Sequence, residues 1–262
     1  MGRIKEKRVA LSFRQTEILE IARTDGRVVV DALAARFGVT LQTIRRDLTD
    51  LADAGMLDRV HGGAMLRAGV NNIGYETRRR MNDAGKAAIA RACARMIPDN
   101  SSIILNIGTT TEAVARELLN HRNITVVTNN MNVANILVAN DSCDVMVAGG
   151  SLRRSDGGLL GDLTVDFIAQ FKVDFAVIGA SALDRDGDLL DFDMAEVRVS
   201  KAILRQARQV LLVMDASKLD RPAPVRLASL SQMDVVFTDR ALPDALMAKC
   251  AEWDTAVHIV AA

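Results

Sequence analysis

The 262-residue chain has 33 basic and 33 acidic residues, is 49% apolar and contains three cysteines. Its length suits two domains, and no run of 18 apolar residues offers a membrane span. Cys93, Cys143 and Cys250 lie far apart without a Cys-x-x-Cys pair, and His61, His121 and His258 are scattered, which excludes a disulfide framework and a recognisable metal site.

The balanced charge is unevenly spread. Residues 1–68 hold 12 Lys and Arg against 9 Asp and Glu, and the rest hold 21 against 24. A basic front end on an acidic body suggests that only the front end meets a polyanion. The charged start Met1–Arg8 is followed by no apolar segment, so a reducing cytoplasmic setting is the expectation.

Taken in chain order, Arg14–Thr24 has the apolar stripe Ile18, Leu19, Ile21, Ala22 of a helix. Asp31 is the expected cap of a short helix that turns Leu33 and Phe37 inward. Gly38 then permits a tight turn, and Thr40 caps a helix that ends near Gly55. In that last helix Leu41, Ile44, Leu48 and Leu51 share one face, while Gln42, Arg45, Arg46 and Thr49 share the other. Asp47 is expected to orient an arginine rather than to touch phosphate. Helix, short helix, glycine turn and basic helix make the helix-turn-helix plan. An extended piece from Met56 to Leu66, with Arg59, His61 and Gly62-Gly63, reads as a wing. The expected DNA-facing set is Thr40, Gln42, Thr43, Arg45, Arg46, Thr49, Arg59, His61, Gly62 and Gly63. Arginine suits guanine edges and glutamine adenine edges, although either arginine equally suits phosphate.

This front domain spans 1–66. Residues 67–83, small and polar and then charged, read as a linker. From 84 to 262, apolar runs (Ile103–Leu105, Ile124–Val127, Val145–Ala148, Phe175–Ile178, Val210–Met214, Val235–Phe237, Val257–Val260) alternate with helical stretches (Lys86–Ile97, Glu112–Leu119, Met131–Ala139, Ala195–Ala207, Pro243–Glu252). The pattern predicts a mostly parallel sheet buried on both faces, and hence a multi-domain α/β protein.

Ligands of such sheets sit beyond the carboxyl ends of the strands. Gly108-Thr109-Thr110-Thr111 joins a strand to a helix N-terminus and supplies more hydroxyls than a cap needs. Thr128-Asn129-Asn130, Gly149-Gly150 and Gly161 hold similar places, though turn chemistry alone also explains them. Lys218 after the Val210–Met214 run supplies a point charge. Asp191, Asp193 and Glu196 cluster near a helix start, suited either to its dipole or to ligand hydroxyls, and Arg153-Arg154 is a further anion contact. The chain has no G-x-S-x-G, H-E-x-x-H or P-loop, so no catalytic residues, metal or cofactor are expected.

With these residues in view, the chain resembles the DeoR family of transcriptional regulators over nearly its whole length. The family's T-I-R-R-D-L and H-G-G-A patterns stand at Thr43–Leu48 and His61–Ala64. Its sensor pattern stands at Gly108–Thr110, Val127–Asn130, Gly149-Gly150 and Asp215–Lys218. The resemblance implies a winged helix-turn-helix joined to a sensor related in fold to ribose-5-phosphate isomerase. It also implies an oligomeric repressor, dimer or tetramer, that binds a double-stranded operator and is released by a phosphorylated polyol or sugar. Thr128–Leu137, Asp156–Gly161, Asp166–Gly179 and Asp186–Asp193 point, within the family, to glycerol 3-phosphate. Thr40 stands where the family usually has serine, a change that preserves the cap. Where the isomerases follow Gly-Ala with acidic residues, Gly179-Ala180 here leads to Ser181-Ala182-Leu183-Asp184, which implies a phosphate cradle without isomerase chemistry. The rival readings are a sugar-phosphate isomerase with a DNA-binding appendage, using Glu196 and Lys218 as acid and base, and the same type of regulator tuned to another sugar phosphate.

Overall fold

In the computed structural model, which describes residues 11–25, 27–54, 56–60, 62–66 and 75–260, the chain divides into two units, 1–69 and 70–262. The first is built on three helices. Ile18, Leu19 and Ala22 are buried on one side of α1 (Phe13–Asp25). A short strand β1 (Arg27–Val29) leads into α2 (Val30–Phe37), and Gly38, in the left-handed region at φ 63°, ends that helix. The N-cap of α2 is Val29 rather than Asp31. Asp31 lies in the first turn, where its charge complements the helix dipole, and the Gly62 carbonyl accepts the orphan N–H of Val30 at 3.0 Å. The next helix, α3 (Leu41–Asp53), is capped by the Thr40 hydroxyl, which accepts the Thr43 N–H at 3.2 Å. Ile44, Leu48 and Leu51 are fully buried against Ile18, Leu33 and Leu57. Leu41 is 41% exposed, because the first position of the helix lies outside this small core.

Strands β2 (Leu57–Val60) and β3 (Gly63–Leu66) form the wing, and β1, which the sequence does not announce, adds a third antiparallel strand beside β3. The two wing glycines serve different needs. Gly62 has φ 77° and open space around it, so it answers a conformational demand. Gly63 is buried, and a Cβ there would lie 1.9 Å from the Val28 carbonyl oxygen, so it answers a steric one.

The second unit begins with α4 (Tyr75–Arg80) and α5 (Asp83–Met96). It then alternates through β4 (Ser102–Leu105), α6 (Thr109–Glu117), β5 (Ile124–Thr128), α7 (Met131–Leu137) and β6 (Cys143–Val147). A hairpin, β7 (Ser151–Arg153) and β8 (Gly158–Leu160), and helix α8 (Asp162–Ile168) precede β9 (Val173–Ile178). Then follow β10 (Ala182–Leu183), β11 (Asp188–Asp191), α9 (Met194–Arg205), β12 (Ala207–Val213), β13 (Val225–Ser229), β14 (Val235–Thr238), α10 (Asp244–Glu252) and β15 (Ala256–Ile259).

Seven strands form one parallel sheet in the order β15-β14-β12-β9-β4-β5-β6. Alternate side chains enter opposite cores, as the two-residue period requires. Ile103 and Leu105 pack with Ile89, Val114 and Leu118, whereas Ile104 packs with Ile178, Val199 and Ile203. Both faces are covered, which explains the uninterrupted Val/Ile runs. Strands β10, β11 and β13 make a small antiparallel sheet whose Leu183, Leu189 and Leu227 join the second of these cores.

From β4 the chain builds outward to β5 and β6, then returns to β9 and builds the other way. The strand order therefore reverses between β4 and β9, and the crevice at their carboxyl ends is where such a sheet leaves room for a ligand.

Candidate DNA-binding face and ligand cavity

On α3 the side chains of Gln42, Arg45, Arg46 and Thr49 are exposed on the face opposite the buried leucines. The Asp47 carboxylate is turned inward, where it is buried and accepts the Arg14 Nε–H at 2.5 Å and an Nη2–H at 3.3 Å. That turns the acid adjacent to the arginines in sequence away from the exposed face. Thr40 and Thr43 share a hydroxyl contact at 2.9 Å within the cap. From β2, Arg59 donates to the Thr49 hydroxyl at 2.5 Å and to the Arg45 carbonyl at 3.3 Å, which ties the wing to α3. Gly62 is exposed at the wing tip, Gly63 is buried, and His61 lies outside the described residues. The outcome is a helix face with the exposed guanidinium groups of Arg45 and Arg46, held by a buried acid and a wing strut.

The second unit places a cavity of about 30 Å³ at the β4–β9 reversal. Of the residues expected from sequence, Gly108, Thr109, Thr110, Thr111, Asp191, Glu196 and Lys218 line it, joined by Arg78, Gly179, Ala180, Ser181 and Met214. Gly108 caps α6 with φ 148°, and the amides of the first helical turn have no partner within the helix. The Thr111 hydroxyl donates to the Gly108 carbonyl at 2.7 Å and serves the turn. Thr109 and Thr110 are the hydroxyls left for a ligand.

Several sequence candidates have other duties. Thr128, Asn129 and Asn130 are fully buried and do not line the cavity. The Thr128 hydroxyl donates to Leu105 O at 2.7 Å, Asn129 Nδ2 to Leu159 O at 3.3 Å, and Asn130 Oδ1 caps α7. Gly149 accepts the Thr164 hydroxyl at 2.6 Å, and a Cβ on Gly150 would meet that hydroxyl at 2.2 Å. Gly161 begins α8 at φ 104°. These glycines shape the hairpin and α8 and stand outside the cavity lining. Arg153 is saturated rather than free: it holds Asp156 at 2.8 and 2.6 Å, Asp193 at 2.9 Å and Glu196 at 2.7 Å. It thereby staples the β7–β8 hairpin to α9. Arg154 is exposed.

The electrostatics of the cavity are mixed. Burial, and then the neighbouring Asp191 charge, raises the Glu196 carboxyl above its ordinary range, and burial raises Asp191. Burial pushes the Lys218 ammonium down to about 8. Cations, carboxylates, hydroxyls and a helix N-terminus thus converge on one crevice, a set able to bind an anion and polyol hydroxyls together. Among the described residues no group of His, Cys, Asp and Glu is arranged to hold a metal, and no helix is long and apolar enough to cross a membrane.

Sequence reasoning passed over Arg78 and Ser181. Arg78 sits in a charged run that reads as linker, and Ser181 carries no motif; for neither was there a signal short of the three-dimensional fold.

Comparison with known proteins covers both units. Residues 14–68 match the DeoR-like helix-turn-helix domain, and residues 81–240 match the DeoR C-terminal sensor domain. The chain is 44% identical to the glycerol-3-phosphate regulon repressor of Escherichia coli, over 89% of this chain and 93% of that one. It is 45% identical to the protein of the same name from Haemophilus influenzae, over 87% and 89%. Among solved structures, ribose 5-phosphate isomerase A of Methanocaldococcus jannaschii is similar over 53% of this chain and 56% of that chain, with 16% identity and a TM-score of 0.40.

Proposed function

The chain belongs to the DeoR family of transcriptional regulators, and from that premise we propose that it is a sequence-specific DNA-binding repressor released from its operator by glycerol 3-phosphate. The carrying observation is the pairing of an exposed two-arginine helix face in one unit with a cavity lined by cations and carboxylates in the other. In this reading Gln42, Arg45 and Arg46 read base edges, while Thr40, Thr43, Arg59, His61 and Gly62 meet the sugar-phosphate backbone. The phosphate of the effector takes the first turn of α6 with Thr109, Thr110 and Lys218, and its hydroxyls donate to Asp191 and Glu196.

Release follows from linkage. An effector that binds the DNA-incompetent arrangement better weakens operator binding by that difference in affinity, with a typical coupling of about 1–3 kcal/mol. Residues 1–66 are the DNA-reading part and 84–262 the sensor. Within the connecting stretch 67–83, residues 75–80 form helix α4 and Asp83 begins α5. A two-fold dimer places two recognition helices on half-sites one helical turn apart.

The test of DNA recognition is selection from a random duplex pool by the full chain at physiological salt. Enrichment of one inverted-repeat sequence is the expected result. A pool still random after successive rounds would defeat the proposal.

A further inference from the structure

The run Tyr75–Arg80 carries three consecutive arginines. The fold separates them. Arg79 and Arg80 are exposed, whereas the Arg78 side chain is only 15% exposed and lines the ligand cavity. Its Nε is buried with no hydrogen-bond partner. Its terminal nitrogen stands 3.6 Å from Asp156 Oδ2, too far for a hydrogen bond. Asp156 has little to offer, since Arg153 already occupies both of its oxygens. A buried donor left idle is costly. Lys86, Lys218 and Arg221 are cationic neighbours of this guanidinium, and Asp191 and Glu196 are anionic ones. The planar guanidinium fork matches two oxygens of an oxyanion such as phosphate.

The helix carrying Arg78 is held by side chains. Tyr75 Oη donates to Glu112 Oε2 at 2.9 Å and accepts from Asn132 Nδ2 at 3.0 Å. At the other end, Lys86 Nζ donates to the carbonyls of Arg78 and Met81. Residues 67–74, immediately before α4, lead back to the DNA-reading part. The cavity is narrow, about 30 Å³, and Arg78 stands in its wall.

We propose that Arg78 is an anion ligand of this cavity and that α4, which carries it, is the element repositioned when the effector binds. The inference rests on the effector reading above and names the residue and helix through which occupancy is felt. On binding, Arg78 exchanges its long ion pair with Asp156 for short charge-assisted bonds to the phosphate.

The experiment uses the full-length chain, glycerol 3-phosphate and inorganic phosphate as calorimetric probes, and the variants Arg78→Met and Arg78→Lys. Arg78→Met is expected to lower affinity for both probes roughly 10–150-fold. In wild type, saturating glycerol 3-phosphate should change amide exchange across residues 75–80. Arg78→Lys, which keeps the charge and loses the fork, should bind more weakly and lose that exchange response even at saturation, a readout that a purely structural role would not move. Should Arg78→Met not fold, Arg78→Lys decides alone. Wild-type affinity in the variants, or an α4 indifferent to bound ligand, overturns the inference while leaving the effector reading intact. Failure of wild type to bind either probe overturns both.

Discussion

Replacing Arg45 or Arg46 with alanine is expected to weaken operator binding by about 1–3 kcal/mol each, on the order of 5–150-fold. Both side chains are exposed on α3 and pack into no core, so thermal stability should change by no more than about 0.5 kcal/mol. The two roles open to each arginine leave different signatures. An arginine that forks onto a base edge relaxes sequence preference at one position when removed. One that meets phosphate weakens binding to all sequences alike and reduces the slope of log affinity against log salt by about 1. Measuring both variants against the selected operator and a scrambled duplex, across a salt series, separates the roles. Wild-type binding by both variants would mean that α3 is not the reading helix.

The second large effect is expected from Gly63→Ala. A methyl group at this position meets the Val28 carbonyl oxygen at 1.9 Å, with Val29 Cα at 3.2 Å. These are backbone atoms of β1, so no side chain can swing away. Relief requires parting β1 from β3, where Val29 pairs with Gly63. Overpacking of this kind costs about 1–3 kcal/mol or more. A unit of this size has a stability of only a few kcal/mol, at roughly 0.05–0.15 kcal/mol per residue. The variant should show an early melting transition for the N-terminal unit and lost operator binding, while the transition of the α/β unit and its ligand affinity stay in place. Gly62→Ala, which faces strain from positive φ but open space, should be milder. Equal melting of Gly63→Ala and wild type would contradict the close approach of β1 to the wing.

Gly63 also illustrates what the sequence reveals and what it conceals. The pair Gly62-Gly63 reads naturally as two positions that let a wing tip approach phosphate. Gly62 is exposed at the wing tip, whereas Gly63 is buried against a strand too short to announce itself. Long amphipathic or apolar segments are legible because their period is set by the faces they bury. Hence α1, α3 and all seven strands of the parallel sheet stand close to their expected places. The short β7–β8 hairpin, α8 and the β10-β11-β13 sheet are not legible, because two to seven residues carry too little periodicity.

The ligand crevice divides the same way. Gly108–Thr111, Asp191, Glu196 and Lys218 were findable from their positions at strand and helix ends, and they do converge. Thr128–Asn130 occupies an equivalent strand end, yet Thr128 is taken up by the Leu105 carbonyl and Asn130 by the cap of α7, while buried Asn129 bonds Leu159 O and leaves its Oδ1 unpaired. Whether a polar loop is spent internally or left for a ligand is decided by tertiary partners, which no spacing rule encodes. Arg78 is the converse case, a residue in an apparently solvated charge run that the fold buries beside the crevice.

The central claim is that occupancy of this crevice and grip on DNA oppose one another. It is tested most directly by the affinity of the full chain for its selected operator at fixed salt, with and without saturating glycerol 3-phosphate. The account predicts weakening of about 5–150-fold, and an equal weakening of glycerol 3-phosphate binding when operator is saturating, because linkage is reciprocal. An operator affinity that stays constant at ligand concentrations shown to fill the site would contradict it.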